Sequence, residues 1–487
     1  MKEACGVFGV YAPGRSVAQL TFDGIYALQH RGQESAGMAV SDGENITVVK
    51  DMGLVTAVFD ERTLSALHGH LAIGHTRYST HGSSDWSNAQ PAYRPSGLAG
   101  FALGHNGNLS ATDVLAEKAG MLPGMTVSDS DLVAELLSRA HRGGSQGTEG
   151  ELRAAIEEVV PGLVGAFSFV LMDATHLYGV RDPHGFRPLC LGRLGPEHEP
   201  DGWALASESP ALDVIGASFV REIDPGEMVS IGSDGVRSHD LFGPRREQSR
   251  LCIFEFVYFA RPDARLLGRE VHGARRRMGE LLATQAPAEA DMVMGVPESG
   301  VPAAEGFARQ SQIPFGQGLV KNRYIGRTFI DPDPQARVNA VRRKLNVLKE
   351  NVSRKRLVVV DDSIVRSTTV AAVVAMLREA GADEVHLRIS SPPFRWPCFY
   401  GIDTPTREEL LAAHMSVDEM AKHLGADSMA YLSLENLKAA IGAPDGGFCD
   451  ACLTGDYPVK VAPTEPGRQE DPEPEGLLQG ALFGAET

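Results

Sequence analysis

Short apolar segments broken by glycine, asparagine and aspartate make up the first half of the chain, from residue 5 to about residue 235. Typical runs are LAIGHTRYSTHG at 71–82, GFALGHNGNLS at 100–110 and GAFSFVLMDATHLYGVRDPHG at 165–185. This spacing predicts a layered, mainly antiparallel sheet domain with a few helices, one of them over Asp129–Ala140. The polar stretch Gly232–Arg250 then predicts a connector.

The second half, over residues 250–460, alternates apolar strands with amphipathic helices. DMVMGV leads through PESG into PAAEGFARQ, and RLVVVDD leads through a hydroxyl-rich turn into TVAAVVAMLREAGA and then VHLRIS. This βα rhythm predicts a parallel sheet. Residues 461–487 are rich in proline and acidic residues, which predicts a disordered tail.

Length and composition narrow the class of protein. A chain of 487 residues exceeds the size at which one core stops growing, so two domains and a tail are expected. A net charge of −17 argues against a nucleic-acid surface, and no apolar run suits a membrane span or a secretory signal. Six widely spaced cysteines do not resemble a secreted disulfide framework. We therefore expect a cytoplasmic protein with neither nucleic acid nor membrane as a partner.

The most informative stretch of the second half is RLVVVDDSIVRSTT, residues 356–369. Its strand ends in Asp361 and Asp362, whose hard oxygen atoms suit ribose hydroxyls or a phosphate-bound Mg²⁺. Ser367, Thr368 and Thr369 open the next helix and add hydroxyl donors to an anion site. A solvated, capped loop is the alternative for the two aspartates taken alone.

Two further segments fit the same domain. GVPESG, residues 295–300, follows a strand and resembles a loop that binds pyrophosphate, which implies Ser299 as an oxygen ligand through Mg²⁺. LVKNRYIGRTFIDP, residues 319–332, is basic in an acidic protein and carries Lys321 and Arg323. It predicts either a lid that closes over bound phosphates and excludes water or a plain solvated loop.

The string DDSIVRSTT resembles the phosphoribosyl pyrophosphate (PRPP) loop of the type I phosphoribosyltransferases. The resemblance implies one Mg²⁺ per subunit, held by Ser299, Asp361 and Asp362. The PRPP-binding residues that it implies are Lys321, Arg323, Asp361, Asp362, Ser363, Ser367, Thr368 and Thr369. That loop usually has glycine where this chain has Ser367, so serine would be strained if the position needs a positive φ.

The first half contains residues suited to hydrolysing an amide. Cys5 could be a buried core residue or a nucleophile, and a thiolate that attacks a carboxamide needs a base and an oxyanion hole. Asn106 with the Gly107 N–H could form that hole, although HNGN is also a turn signal. Arg77 could clamp an α-carboxylate, and Asp129 could hold an α-ammonium group.

Four segments, HRGQESAG, GHTRYSTHG, GHNGNLS and SDSDLVAEL, together resemble the class II glutamine amidotransferase domain, an N-terminal-nucleophile fold. The resemblance implies that the base is the α-amine of Cys5, that Arg31 binds glutamine together with Arg77 and Asp129, and that His30 and His105 are structural. An amide nitrogen cannot act as this base, so we expect cleavage after Ala4 and a propeptide of residues 1–4.

Four of the remaining cysteines lie within the second half: Cys252, Cys398, Cys449 and Cys452. Four thiolates suit a tetrahedral zinc or a [4Fe–4S] cluster, and their spacing does not separate the two. Cys190 has no partner in sequence and is expected to be a buried core thiol.

From Cys5 to about Pro458 the chain resembles the glutamine PRPP amidotransferases. The motifs are CGVFG, LQHRGQESAG, GHTRYSTHG, HNGNL, RPDA, VKNRYIGRTFI, VVVDDSIVRSTT, ISSPP and CFYGID. The resemblance implies an αββα glutaminase domain over 5–235, followed by an α/β phosphoribosyltransferase domain over 250–460. It also implies the subtype with a propeptide and one [4Fe–4S] cluster per subunit, bound by the four cysteines.

The expected reaction transfers ammonia from glutamine to PRPP and gives 5-phosphoribosylamine, the first committed step of purine biosynthesis. The family further implies a homotetramer inhibited by the purine nucleotides AMP, GMP, ADP and GDP. One rival joins the same first domain to a sugar-phosphate isomerase domain, and DDSIVRSTT argues against it. A second rival is a non-catalytic homologue that senses PRPP or nucleotides, against which the intact set of site residues argues.

Overall fold

The computed structural model describes residues 5–78, 85–95, 100–110, 112–118, 120–121, 128–142, 151–243, 249–322, 341–365, 367–402, 404, 406–443 and 447–459. The expected propeptide and the expected tail lie outside these residues. Within this part of the chain, no helix is long and apolar enough to cross a bilayer.

The chain divides into two compact units. Among the described residues, the first unit comprises those within 5–251, 399–402 and 457–459, and the second comprises those within 252–398 and 404–456. The division after Leu251 lies close to the end of the connector expected from the sequence. The return of residues 399–403 to the first unit was not anticipated by the sequence pattern.

The first unit is built mainly from strands. Its strands are β1 (Gly6–Tyr11), β2 (Ser35–Ser41), β3 (Ile46–Met52), β4 (Leu71–Arg77), β5 (Ala92–Arg94), β6 (Phe101–Leu109), β7 (Gly165–Met172), β8 (Leu177–Arg181), β9 (Cys190–Leu194), β10 (Gly202–Ala206), β11 (Ser218–Glu222), β12 (Glu227–Gly232) and β13 (Gly235–Asp240). Its helices are α1 (Val17–Ala27), α2 (Val55–Val58), α3 (Glu61–Ala66), α4 (Thr112–Lys118), α5 (Asp129–Arg142), α6 (Glu151–Val159) and α7 (Pro210–Val214).

These strands form two antiparallel sheets in the orders β11-β9-β10-β1-β4-β2-β3 and β13-β12-β8-β7-β6-β5. One core cluster joins the facing sides of the sheets, through side chains such as Val7 and Ile73 from one and Val170 and Leu177 from the other. Two more clusters cover the outer sides, one with α1 and α7 and the other with α5 and α6. The unit is therefore an αββα sandwich, as the sequence predicts.

The second unit alternates strands and helices. Its strands are β14 (Leu251–Cys252, which begins at the boundary), β15 (Arg265–Leu266), β16 (Arg269–Glu270), β17 (Met292–Gly295), β18 (Leu319–Lys321), β19 (Leu345–Val347), β20 (Arg356–Asp361), β21 (Glu384–Ile389), β22 (Ser428–Tyr431) and β23 (Phe448–Cys449). Its helices are α8 (Val271–Gln285), α9 (Val301–Ser311), α10 (Lys349–Val352), α11 (Ser367–Glu379), α12 (Leu411–His414), α13 (Val417–Leu424), α14 (Leu434–Ile441) and α15 (Ala451–Thr454).

A four-stranded parallel sheet, ordered β17-β20-β21-β22, organises this unit. The central strand β20 (RLVVVD) has a continuous apolar run, as expected when helices cover both faces, whereas its neighbour β21 (EVHLRI) alternates apolar and polar residues. Because the strands are parallel, their carboxyl ends meet at one edge, where ligands bind in such folds. The predicted parallel α/β fold is confirmed.

Candidate functional site

Cys5 directly precedes β1, a central strand of the seven-stranded sheet, and its side chain is buried. The thiol donates to the Tyr78 carbonyl oxygen, 3.5 Å away. Burial raises the pKa of this thiol, Tyr78 and the Arg77 guanidinium lower it, and the charges of Asp129 and Glu34 raise it. The structure thus brings Arg77 and Asp129, both predicted to bind glutamine, into electrostatic range of Cys5.

Asn106 and Gly107 lie on β6, in the other sheet. Asn106 is fully buried, and neither its amide oxygen nor its amide nitrogen has a hydrogen-bond partner among the described residues. Gly107 has a φ of +155°, and a Cβ there would lie 2.0 Å from the Ala166 carbonyl oxygen, so only glycine fits. A buried amide without a partner is costly, which points to a ligand that supplies one.

Asp129, at the start of α5, is anchored to the end of β6. Its two carboxylate oxygens accept N–H bonds from Leu109 at 3.1 Å and from Ser130 at 2.7 Å, and His105 Nδ1 lies 3.6 Å away. Burial alone would raise the pKa of Asp129, but the His105 charge and the N–H donors lower it to about 2. A fixed negative charge therefore stands at the predicted ammonium position.

Arg31 contacts the backbone of Cys5. It is 1% exposed, donates from Nε to the Cys5 carbonyl oxygen at 3.1 Å, and pairs with the buried carboxylate of Glu208. His30 Nε2 is 2.8 Å from the same carboxylate. The role of Arg31 in binding glutamine stays a prediction, since these contacts are with the protein.

Sequence reasoning missed Glu208, which follows β10 and joins His30 and Arg31 across about 180 residues of chain. The available signal was a glutamate that directly follows the mostly apolar run WALAS, residues 203–207. Such a position suggests a buried carboxylate, and a buried carboxylate needs a cationic partner.

The second unit collects its predicted residues at the carboxyl edge of the parallel sheet. β20 ends at Asp361, beside β17, which leads into the loop with Ser299. Asp362 accepts a hydrogen bond from Ser363 at 2.5 Å and another from Ser299. The structure therefore brings together the three residues that were predicted to hold Mg²⁺.

Both aspartates at this edge are buried and short of positive charge. Burial raises the pKa of both carboxyls, and the charge of Asp362 raises that of Asp361 further. At Asp362, the hydrogen bonds from Ser299 and Ser363 lower the pKa, as does the charge of Arg275, which is itself bonded to the Phe256 and Ala260 carbonyls. Adjacent buried carboxylates of this kind fit a hard divalent cation, which would favour their charged form.

Ser367 and Thr368 begin α11, with partly exposed side chains, and Thr369 is exposed. Among the described non-glycine residues, only Leu267, Gln312 and Arg354 have a positive φ. The condition under which Ser367 would be strained is therefore absent.

The expected lid is only partly within the described residues. Lys321, on β18, places its Nζ 3.6 Å from the Glu298 carboxylate, in the loop that also carries Ser299. Arg323 and the rest of the predicted lid, to residue 332, lie outside the described residues.

The four cysteines predicted to bind a cluster all belong to the second unit. Ile253 N–H donates to the Cys449 carbonyl at 3.1 Å, and Arg395 and Trp396 N–H donate to the Cys452 carbonyl at 3.0 Å. Burial raises the pKa of the Cys449 and Cys452 thiols, and the charges of Cys252 and Cys398 raise both further. The four thiols therefore share one region.

Within the described residues, no three His, Cys, Asp or Glu side chains are grouped closely enough to hold one metal ion. The binding of a [4Fe–4S] cluster by these four cysteines therefore stays a prediction. Cys190 is buried and donates to the Ala206 carbonyl at 3.3 Å.

Two family models match the chain. A glutamine amidotransferase domain matches residues 75–214, in the first unit, and a phosphoribosyl transferase domain matches residues 268–390, in the second. The second match excludes the rival with a sugar-phosphate isomerase domain.

Full-length relatives agree with both matches. The amidophosphoribosyltransferase of Mycobacterium tuberculosis is 52% identical over 473 residues, covering 94% of this chain and 87% of that protein. The enzyme of Bacillus subtilis is 44% identical, covering 95% of each chain.

A solved structure of the B. subtilis glutamine PRPP amidotransferase, complexed with ADP and GMP, superimposes with a TM-score of 0.85 at 42% identity. The match covers 94% of this chain and 98% of that one. The αββα fold of the first unit, the parallel sheet of the second and sequence identity over nearly the whole chain lead to one conclusion: the chain belongs to the amidophosphoribosyltransferase family, which transfers ammonia from glutamine to PRPP in purine biosynthesis.

Proposed function

We propose that Cys5 is the nucleophile of the glutaminase reaction and that its free α-amine is the base. The thiolate attacks the glutamine amide, ammonia leaves, and water then hydrolyses the thioester to glutamate. Asn106 Nδ2 and the Gly107 N–H stabilise the oxyanion, Arg77 binds the α-carboxylate and Asp129 binds the α-ammonium. The observation that carries this proposal is the proximity of Arg77 and Asp129 to the buried Cys5 thiol.

The α-amine of Cys5 exists only after the Ala4–Cys5 bond is cleaved. Residues 1–4 therefore form a propeptide that masks the base. Intact-mass measurement of active enzyme should give a chain that begins at Cys5. Full glutaminase activity with residues 1–4 still attached would contradict this mechanism.

The second unit catalyses attack of ammonia on C1 of PRPP, with pyrophosphate as the leaving group. Ser299, Asp361 and Asp362 would hold one Mg²⁺ per subunit, which supplies positive charge to the pyrophosphate. Ser363, Ser367, Thr368 and Thr369 bind the phosphate and ribose oxygens, and Lys321 and Arg323 approach the pyrophosphate from the lid. Buried aspartates with raised pKa values support this assignment, because they favour a bound cation.

Cys252, Cys398, Cys449 and Cys452 would bind one structural [4Fe–4S] cluster per subunit. Such a cluster would fasten both ends of the second unit, so its binding energy would contribute to folding. Anaerobically purified protein should absorb at about 400 nm and contain iron rather than zinc. Stoichiometric zinc without iron would contradict this assignment.

Regulation and assembly follow the family expectation. The B. subtilis relative was solved with ADP and GMP, which supports AMP, GMP, ADP and GDP as feedback ligands of this chain. A homotetramer located in the cytoplasm is proposed with them. Light scattering during a nucleotide titration would measure both the assembly and its response.

The decisive experiment follows glutamate and pyrophosphate together, with and without PRPP. An amidotransferase releases glutamate faster when PRPP is bound and forms pyrophosphate in equal amount. A homologue that only senses PRPP would form no pyrophosphate.

A further inference from the structure

Residues 399–402 (Phe-Tyr-Gly-Ile), the 399–402 segment, contact the strand that carries the proposed oxyanion hole. Cys398 before them and Thr404 after them belong to the second unit, whereas the segment belongs to the first. Neither family model covers these residues. The motif CFYGID was singled out in the sequence without a chemical role.

Two carbonyl groups fasten this segment. Asn108 Nδ2 donates to the Phe399 carbonyl oxygen at 3.0 Å. The buried Arg187 donates to the Tyr400 carbonyl oxygen twice, from Nε at 3.1 Å and from Nη2 at 2.7 Å. A charged donor with two bonds to one buried acceptor holds the backbone firmly.

The side chain of Tyr400 adds a second anchor. Its ring stacks on Phe186 with centroids 4.5 Å apart, and its hydroxyl donates to the Val459 carbonyl oxygen at 2.7 Å. Tyr400 and Ile402 are each 3% exposed. The segment is therefore packed as core and is not a surface loop.

Gly401 brings the segment against Gly107. Its φ is +104°, and a Cβ there would lie 3.2 Å from the Gly107 carbonyl carbon and 3.0 Å from Arg187 Nη2. Gly107 is also confined by the Ala166 carbonyl oxygen, which would lie 2.0 Å from an added Cβ. The backbone at Gly107 is thus confined by both β7 and the 399–402 segment.

We infer that the 399–402 segment is a positioning element for the oxyanion hole, with Gly401 as its critical residue. This inference rests on the proposed role of Asn106 and Gly107. By confining the Gly107 carbonyl carbon and the Asn108 side chain, the segment limits the backbone torsions of Gly107, so the Gly107 N–H is held towards the developing oxyanion without rearrangement during the reaction. Gly401 acts through Gly107 and does not touch glutamine, so it affects turnover more than substrate binding.

The test compares Gly401→Ala with Gly235→Ala in the full-length enzyme. Gly235 has a φ of +90° and nothing within 4 Å of an added Cβ, so it matches the backbone strain without the contact. We expect Gly401→Ala to lower kcat with glutamine by about tenfold or more. Its KM for glutamine and its ammonia-dependent amination of PRPP should stay within about twofold of the parent, as should every activity of Gly235→Ala.

A milder variant covers the case in which Gly401→Ala does not fold. Asn108→Ala removes the bond to Phe399 and should lower the glutamine kcat by about threefold to tenfold, again with ammonia-dependent activity retained. Equal loss of both activities, or a glutamine kcat like that of Gly235→Ala, would overturn the inference.

Asn106→Ala separates the two hypotheses. If Asn106 contributes to the hole, its loss should lower glutamine-dependent turnover by about 10²–10³-fold. An unchanged rate would show that the proposed hole is wrong. A large loss in Asn106→Ala, with parental rates in Gly401→Ala and Asn108→Ala, would show that only the positioning inference is wrong.

Discussion

Asp129 in the first unit and Asp361 in the second are both buried carboxyl groups, yet their acidities shift in opposite directions. His105 and two backbone N–H groups lower the pKa of Asp129 to about 2 in spite of burial. Burial raises the pKa of Asp361, the like charge of Asp362 raises it further, and the single backbone N–H from Asp362 opposes this shift only in part. The protein itself stabilises the charge of Asp129, whereas the proposed Mg²⁺ would stabilise the charge of Asp361.

This difference predicts that the two sites differ in how completely their charges are stabilised before substrate binds. The glutaminase site is preorganised, with its charges fixed by strands and by the start of α5. The proposed PRPP site would gain its charge balance when substrate and Mg²⁺ bind, which would link affinity for PRPP to the metal. The following substitutions test this contrast, in order of decreasing effect.

Cys5→Ala should abolish glutamine-dependent product formation, by about 10⁴-fold or more, because no other thiol can form the thioester. Ammonia-dependent activity should stay within about twofold, since the second unit is intact. Both rates are measured as PRPP-dependent pyrophosphate release. Cys190→Ala removes another buried thiol of the same unit and is the control. Appreciable glutamine-dependent activity in Cys5→Ala would disprove the assignment.

Asp361→Asn should lower both the glutamine- and ammonia-dependent rates by about 100-fold. It should also raise the Tm of ligand-free enzyme at pH 8. Because the folded pKa of Asp361 is raised, its contribution to stability is complete below its ordinary pKa and is lost as the pH rises through the folded value. Because asparagine does not ionise, the variant should not lose this stability as the pH rises.

Thermal unfolding from pH 5 to pH 8, with and without Mg²⁺ and PRPP, measures this effect. The ligands should raise the Tm of the parent and have little effect on Asp361→Asn. Asp291→Asn, at the opposite end of the same sheet, is the control. A lower Tm of ligand-free Asp361→Asn at pH 8 would contradict the idea of an unbalanced carboxylate pair.

Asp129→Asn should raise the KM for glutamine by about tenfold or more, because the ammonium group loses its charged partner. It should also cost about 2 kcal/mol of unfolding free energy at pH 7, from the lowering of the folded pKa from 3.8 to about 2. This stabilisation is present above pH 3.8 and is lost as the pH falls towards 2. Steady-state kinetics and denaturant unfolding measure the two effects.

Asp131→Asn is the control, because Asp131 lies on the same helix and pairs with Arg94 at a more exposed site. It should change the KM for glutamine by less than about twofold. If both variants alter KM equally, Asp129 is not the ammonium partner.

Glu208→Gln should have the smallest effect, lowering kcat with glutamine by about threefold to tenfold at unchanged KM. Without the carboxylate, Arg31 loses its partner and holds the Cys5 carbonyl less firmly. Glu227→Gln, which also disrupts an arginine pair in the same unit, should leave kcat unchanged. Equal effects of the two variants would indicate general destabilisation.

Sequence patterns predicted the strands and helices that begin or end at the candidate site residues. β20 stops at Asp361, β1 follows Cys5 and α5 starts at Asp129, because an apolar run that ends in charged or hydroxyl residues marks a strand end or a helix start. Strain was expected at Ser367 because the PRPP loop of the family usually has glycine at this position. In the structure this serine is already helical, so a positive φ is not needed.

The tertiary contacts of the site residues could not be predicted from the sequence. Glu208 and Arg31 lie 177 positions apart, and Tyr400 and Arg187 lie 213 positions apart. No local periodicity carries such pairings, since they follow from how sheets and helices pack.

The sequence alone therefore determined the two folds, the order of the units and the residue types of both sites, because local pattern and motif encode them. The tertiary structure alone decided which buried carboxylate is balanced, which glutamate supports Arg31 and which segment confines Gly107. Those outcomes depend on desolvation and on distances between atoms far apart in the chain, and only packing sets them.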